Sequence, residues 1–132
     1  MRMIRLVAAG GLCLAVTGLG GRRAPSTVVV RLEGNEFRPS IVQARAGDSV
    51  RFVNGNGGPH NIAFVADSIA EPARTLLTQA MKGEKIGPLS SPLLLDPAES
   101  YAFVVPALPP GRYPLFCAPH LANMRGELRV SR

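Results

Sequence analysis

The stretch FCAPHLANM, residues 116–124, sets a thiol, an imidazole and a thioether within eight positions of one another. These are scarce groups here: the whole chain has 2 His, 2 Cys and 4 Met. Cys117 and His120 are separated by Ala118-Pro119, and Met124 follows after Leu121-Ala122-Asn123. One short loop can aim all three at a common centre. The remaining histidine, His60, stands at the mouth of an apolar run in GGPHNIAF. Both histidines and Cys117 can therefore be assigned to a single metal centre, with Met124 near it.

The ligand types select the metal. Two imidazoles and a thiolate in a trigonal plane, with a weak axial thioether, suit a copper ion that alternates between Cu(I) and Cu(II). Sulfur satisfies the soft Cu(I), and imidazole satisfies both states. Zinc would ask for a fourth strong ligand. None stands in the loop, since Glu127 lies beyond Met124. Blander readings exist for each residue alone: Met124 as core filler, His60 as a surface histidine, Cys117 as a small buried hydrophobe. They leave unexplained why the scarcest groups fall together.

The rest of the chain must position these groups. It has 132 residues with 15 Lys and Arg against 9 Asp and Glu, a formal charge of +6. The opening MRMIR is basic, and an apolar run from Leu6 to Leu19 follows. That pattern is expected of a secretory signal, residues 1–20, or of an uncleaved N-terminal anchor, and it is short for a membrane span. Small residues at Gly18 and Gly20 place a cleavage near Gly20. A lipidated Cys13 is disfavoured by the bulky Leu12. Residues 21–132 then form one domain, with 13 basic residues against 9 acidic once Arg2 and Arg5 are gone. Cys117 is its one cysteine. Exported chains usually pair their thiols, so a lone one again points to a metal. The basic residues are scattered rather than interleaved with aromatics, which argues against nucleic acid.

Short strands split by Gly and Pro fill this domain. TVVVRLEG, then SIVQARAGDSVRFVN with a turn at Ala46-Gly47-Asp48, then HNIAFVA, ESYAFVVP, GRYPLFC and GELRV read as strands. Val50, Phe52 and Asn54 alternate with Ser49, Arg51 and Val53, a half-buried pattern. Residues 67–96 break the rhythm. There Ala73, Leu76, Leu77, Ala80 and Met81 recur at helical spacing, predicting a short helical excursion around residues 70–82, and GPLSSPLLLDP returns as extended chain. The sum is an all-β antiparallel sandwich or barrel.

FRPSIVQARAGDSVRFVN, NGGPHNIAF and GRYPLFCAPHLANMRGELRV together resemble the plastocyanin-like cupredoxins, small blue-copper proteins. The resemblance implies a Greek-key β-sandwich and one type 1 copper. It implies His60, Cys117 and His120 as equatorial ligands, Met124 as the axial one, and Asn61 as a tie between the two ligand loops. It further implies an exported, periplasmic or extracellular monomer that carries single electrons and is not an enzyme. Its redox protein partners would dock transiently near an exposed His120 framed by Pro119, Leu121 and Ala122, with no nucleic acid and no membrane beyond the N-terminal signal. A copper-binding or copper-delivery module without redox turnover is the alternative. The chain departs from the family in two places. Three residues separate His120 from Met124 where plastocyanins have four, so that Gly126 is expected to relax the backbone behind the shortened loop. Phe116 stands where plastocyanins often carry Tyr, and their photosynthetic partners are not implied.

Overall fold

The computed structural model describes residues 21–132. The expected signal, its cleavage point and Cys13 lie outside the described residues. Eight strands form two four-stranded sheets. β1 (Thr27–Glu33), β2 (Glu36–Arg38), β4 (Ser49–Asn54) and β6 (Ser100–Val104) make the first, in the order β2-β1-β4-β6. β3 (Ile41–Arg45), β5 (Ala63–Phe64), β7 (Gly111–Phe116) and β8 (Arg125–Ser131) make the second, in the order β3-β8-β7-β5.

Alternation decides which face is inside. In β4, Val50, Phe52 and Asn54 are buried while Arg51 is exposed. In β3, Val42 and Ala44 face in while Ile41, Gln43 and Arg45 face out. Four phenylalanines carry the contact from sheet to sheet. Phe37 meets Phe52 edge-on at 6.1 Å, Phe52 stacks on Phe103 at 6.4 Å, and Phe103 meets Phe64 of the opposite sheet edge-on at 6.0 Å. Such pairs add specific geometry to the burial that drives the sheets together.

The sheets are mixed, not purely antiparallel. β1 runs parallel to β4, and β3 runs parallel to β8. The reason lies in the Ala46-Gly47-Asp48 turn, which is a corner and not a hairpin. Gly47, at φ +91°, donates its N–H to Val105 O, and Val105 returns its own to Asp48 O. The chain thus passes from the second sheet to the first, and each strand pairs with a neighbour already running its way.

The expected helix is α1 (Ala73–Ala80). Ala73, Leu77 and Met81 lie in the core, with Leu76 and Ala80 packed at its margin. Glu71, two residues before it, accepts from the Thr75 main-chain N–H and hydroxyl. HNIAFVA is strand only at Ala63–Phe64. Its first half departs from the ladder because the Ile62 N–H goes to the Ser91 hydroxyl. The returning segment GPLSSPLLLDP lies alongside, with single bridges His60 to Leu94 and Ala63 to Ser90. Among the described residues, no helix is long and apolar enough to cross a membrane.

Candidate metal centre

β4, β7 and β8 all have their loops to one end of the sandwich, and that end gathers the reactive groups. β4 finishes at Asn54. Its buried amide donates to Gly58 O and Leu94 O and accepts from Gly57 N–H, so the loop 55–59 is held by one side chain. His60 follows, clasped to Leu94 by a reciprocal main-chain pair of 3.0 and 2.8 Å. β7 delivers Cys117 and β8 begins just after Met124. Between them the loop closes on itself. Cys117 N–H donates to Met124 O at 3.0 Å, Met124 N–H to His120 O at 2.9 Å, and His120 N–H to Cys117 O at 3.1 Å. Residues Ala118–His120 form a single 3-10 turn. That turn brings the ring of His120 back over Cys117.

The side chains converge. His60, Cys117 and His120 present ligand atoms all within 4.8 Å of one another. Cys117 Sγ lies 3.8 Å from His60 Nδ1 and 3.5 Å from His120 Nδ1. The two imidazole centroids are 4.9 Å apart and tilted by 40°. A trigonal plane with metal–nitrogen bonds of about 2.0 Å and a metal–thiolate bond of about 2.3 Å has nitrogen–sulfur edges of about 3.8 Å. The observed edges fit that triangle before any ion enters it. No carboxylate joins the cluster. Met124 is fully buried behind it, with its main chain paired to Cys117.

Burial is graded across the site. His60 is 1% exposed and Cys117, Met124 and Asn61 are fully buried, whereas His120 is only half-buried. Leu121 beside it is 52% exposed, and Pro119 and Ala122 are exposed as well. Burial, helped by the charge of His120, holds His60 below the usual histidine range. Burial pushes the Cys117 thiol up, while the main-chain N–H groups of Asn61 and His120 act in the opposite direction. Burial thus favours the uncharged form of both Cys117 and His60. Binding a cation must displace the thiol proton.

Asn61 joins the two loops: its Oδ1 accepts the Ala118 N–H at 2.7 Å. Its Nδ2 is buried without a partner. Gly126, by contrast, has no part in relaxing the loop. It lies within β8 opposite Leu115, and a Cβ there would sit 2.7 Å from Ser40 O, 3.1 Å from Leu115 and 3.3 Å from Phe37. It is glycine because β8 passes too close to the core for a side chain. Two braces escaped the sequence reading: Leu94, which clasps His60, and Ser91, which takes the Ile62 N–H. Their signal was the apolar run after two serines in GPLSSPLLLDP, which reads as strand without naming its partner.

Residues 26–131 match the family model described as copper binding proteins, plastocyanin/azurin family. The chain is 35% identical over 99 residues to plastocyanin from Lactuca sativa, covering 74% of this chain and 90% of that one. It is 33% identical over 111 residues to chloroplastic plastocyanin from Physcomitrium patens, covering 80% of this chain and spanning 59% of that one. Among solved structures it is similar to amicyanin from Paracoccus versutus, with a TM-score of 0.55 and 27% identity over 80% of this chain and 81% of that one.

Proposed function

We propose, because this chain belongs to the plastocyanin/azurin family of copper binding proteins, that it is a type 1 copper protein that carries single electrons between redox partners. The observation that carries the reading is the Cys117, His60 and His120 triangle, whose edges of 3.5 and 3.8 Å already match a three-coordinate ion. His60, Cys117 and His120 would hold the copper, with Met124 as the fourth, weaker donor. When bound, copper supplies one reversible electron through its Cu(I) and Cu(II) states.

The protein's own residues do the rest. Cys117 gives up its proton and offers the thiolate. His60 and His120 both turn Nδ1 toward the sulfur, and to hold the ion through that atom each would carry its proton on Nε2. The main-chain bonds of the Cys117–Met124 loop, the Leu94 clasp and the Asn61 tie fix these atoms in the ion's absence. A frame that holds its ligands so firmly changes little between oxidation states, and a small rearrangement makes for fast transfer. His60, Cys117 and Met124 are sealed from water. His120 alone reaches the surface, so the electron enters and leaves through its ring. The apolar rim of Pro119, Leu121 and Ala122 favours brief docking of a redox protein. Encounters of this kind bury little area, under about 1,200 Å².

The reading implies a carrier and not an enzyme, since both histidines of the chain are used by one centre and none is left for a second. It also implies a monomer, formed by residues 21–132 and exported to the periplasm or beyond. The one thiol among the described residues, buried in the site, supports export, because a metal bond protects it where thiols otherwise oxidise. Potentiometric titration of the copper-loaded chain tests the function. A carrier gives a reversible one-electron wave with one equivalent per chain. Tight copper binding with no reversible wave would make the chain a storage or delivery module.

A further inference from the structure

The end of the sandwich opposite the metal centre is strongly basic. β3 ends there at Arg45, β8 ends there beside Arg132, and the described residues begin there with Arg22 and Arg23. The four arginines rim a groove of about 780 Å³ with an apolar floor that includes Leu108 and Pro110. No side-chain carboxylate lines this groove. The nearest acid is Asp48, which is 3% exposed and already committed. It accepts from Arg23 Nη2 at 2.7 Å, the Ser26 N–H and hydroxyl at 2.9 and 3.1 Å, and the Arg45 N–H at 2.9 Å. One side-chain carboxylate and the α-carboxylate of Arg132 against four guanidiniums leave a surplus of two positive charges. By contrast, Arg31 and Arg38 pair with Glu33 and Glu36, and Arg112 and Arg129 with Glu127.

Two further facts say what this pole faces. The residues immediately before it in sequence are the apolar run Leu6–Leu19, so the chain reaches the pole from a segment with affinity for lipid. If that segment is removed near Gly20, the new α-ammonium falls on the same pole and adds to its charge. Either way the pole is cationic around an apolar floor, the profile of a surface that rests on anionic headgroups. An acidic redox protein is the weaker occupant. β7 spans the sandwich from Gly111 to Phe116, six residues at roughly 3.3 Å each, so the pole lies about 20 Å from the metal centre. Electron tunnelling falls off steeply over such a gap.

We propose that the pole formed by Arg22, Arg23, Arg45 and Arg132 is a docking surface for an anionic phospholipid bilayer. Docked there, the protein stands upright with His120 pointing away from the membrane, toward partners in the aqueous phase. The inference holds for the described domain whether or not the first twenty residues remain.

Vesicle binding tests it. The full chain is titrated with vesicles of phosphatidylcholine and with vesicles of an equal mixture of phosphatidylcholine and phosphatidylglycerol. The ratio of the two affinities cancels what the apolar run contributes, and the share of Arg2 and Arg5, common to parent and variants, cancels when variant and parent ratios are compared. Anionic vesicles should bind more tightly, and each arginine removed should lower the ratio roughly fivefold. Arg45→Ser with Arg132→Ser should therefore lose about 25-fold, with the copper thiolate band intact as evidence of folding. Arg125→Ser, at the metal end, should change nothing. Added salt should erase the preference, as screening requires. Equal binding to both vesicles would overturn the proposal. So would a double variant that binds like the parent, an Arg125→Ser variant that loses as much, or capture of an acidic protein at this pole without any lipid preference.

Discussion

Cys117 is the residue on which the site turns. Its thiol is raised by burial, yet it faces two imidazole nitrogens and two main-chain N–H groups. Burial keeps the thiol protonated, and the two N–H groups favour the thiolate once a cation takes the place of that proton. Met124 poses the finer question, since the loop from His120 is one residue shorter than in plastocyanin. The main-chain bond from Met124 N–H to His120 O closes that shorter loop without strain and leaves the side chain wholly buried. We expect Met124→Leu to keep the thiolate band and raise the reduction potential, because a weak donor to Cu(II) gives way to none. Met124→Gln should lower it, because an amide oxygen favours Cu(II). Protein-film voltammetry on both variants checks this. Potentials equal to the parent would make Met124 packing and leave a three-coordinate site.

At the scale of elements, β8 and the Asp48 corner carry the positions of the loops. Gly126→Ala would drive a Cβ into Ser40 O and Leu115, so β8 must shift from β3. Overpacking of this kind costs about 1–3 kcal/mol, which a urea midpoint will register. The Glu127 N–H to Ser40 O bond should lengthen in the same variant. Much of this level was legible beforehand. The alternation in DSVRFVN marked the buried face of β4, and helical spacing marked α1. Other features were not legible, because local pattern cannot see a partner. The 46–48 turn reads simply as a turn between two strands until Val105 is known to hold it as a corner. HNIAFVA reads as a full strand until Ser91 takes the Ile62 N–H. Gly126 looked like slack in a loop, although its reason was the Ser40 carbonyl, in the bend just before β3.

The whole molecule has two unlike ends, and each follows from where the strands stop. One end spends every histidine on a single cluster. The other gathers arginines, with Asp48 as their anchor. Four donors converge on the Asp48 carboxylate, and main-chain N–H groups from Ser26 and Arg45, with Arg23, hold the Asp48 pKa down at about 2. A carboxylate depressed in the fold stabilises it above its ordinary pKa of 3.8, and that stability is lost as pH falls toward 2. Asp48→Asn should therefore cost about 2 kcal/mol at neutral pH, since the side chain is nearly buried. The gap between variant and parent should close as pH drops from 3.8 to about 2, as thermal melts across that range would reveal. A constant gap at all pH values would mean that Asp48 acts by shape and not by charge. The sequence exposed the metal end through the rarity of its residues. It hid the basic end, because Arg22, Arg45 and Arg132 are far apart in the chain and meet only when the sandwich closes.

Copper binding through the Cys117 thiolate is the claim on which the rest depends. The most direct measurement is the visible absorption of the full chain during titration with Cu(II), made in parallel on Cys117→Ser. An intense thiolate-to-copper band should saturate at one equivalent in the parent and be absent from a folded Cys117→Ser protein. A band that survives in Cys117→Ser, or no band in the parent at any copper ratio, would contradict that claim.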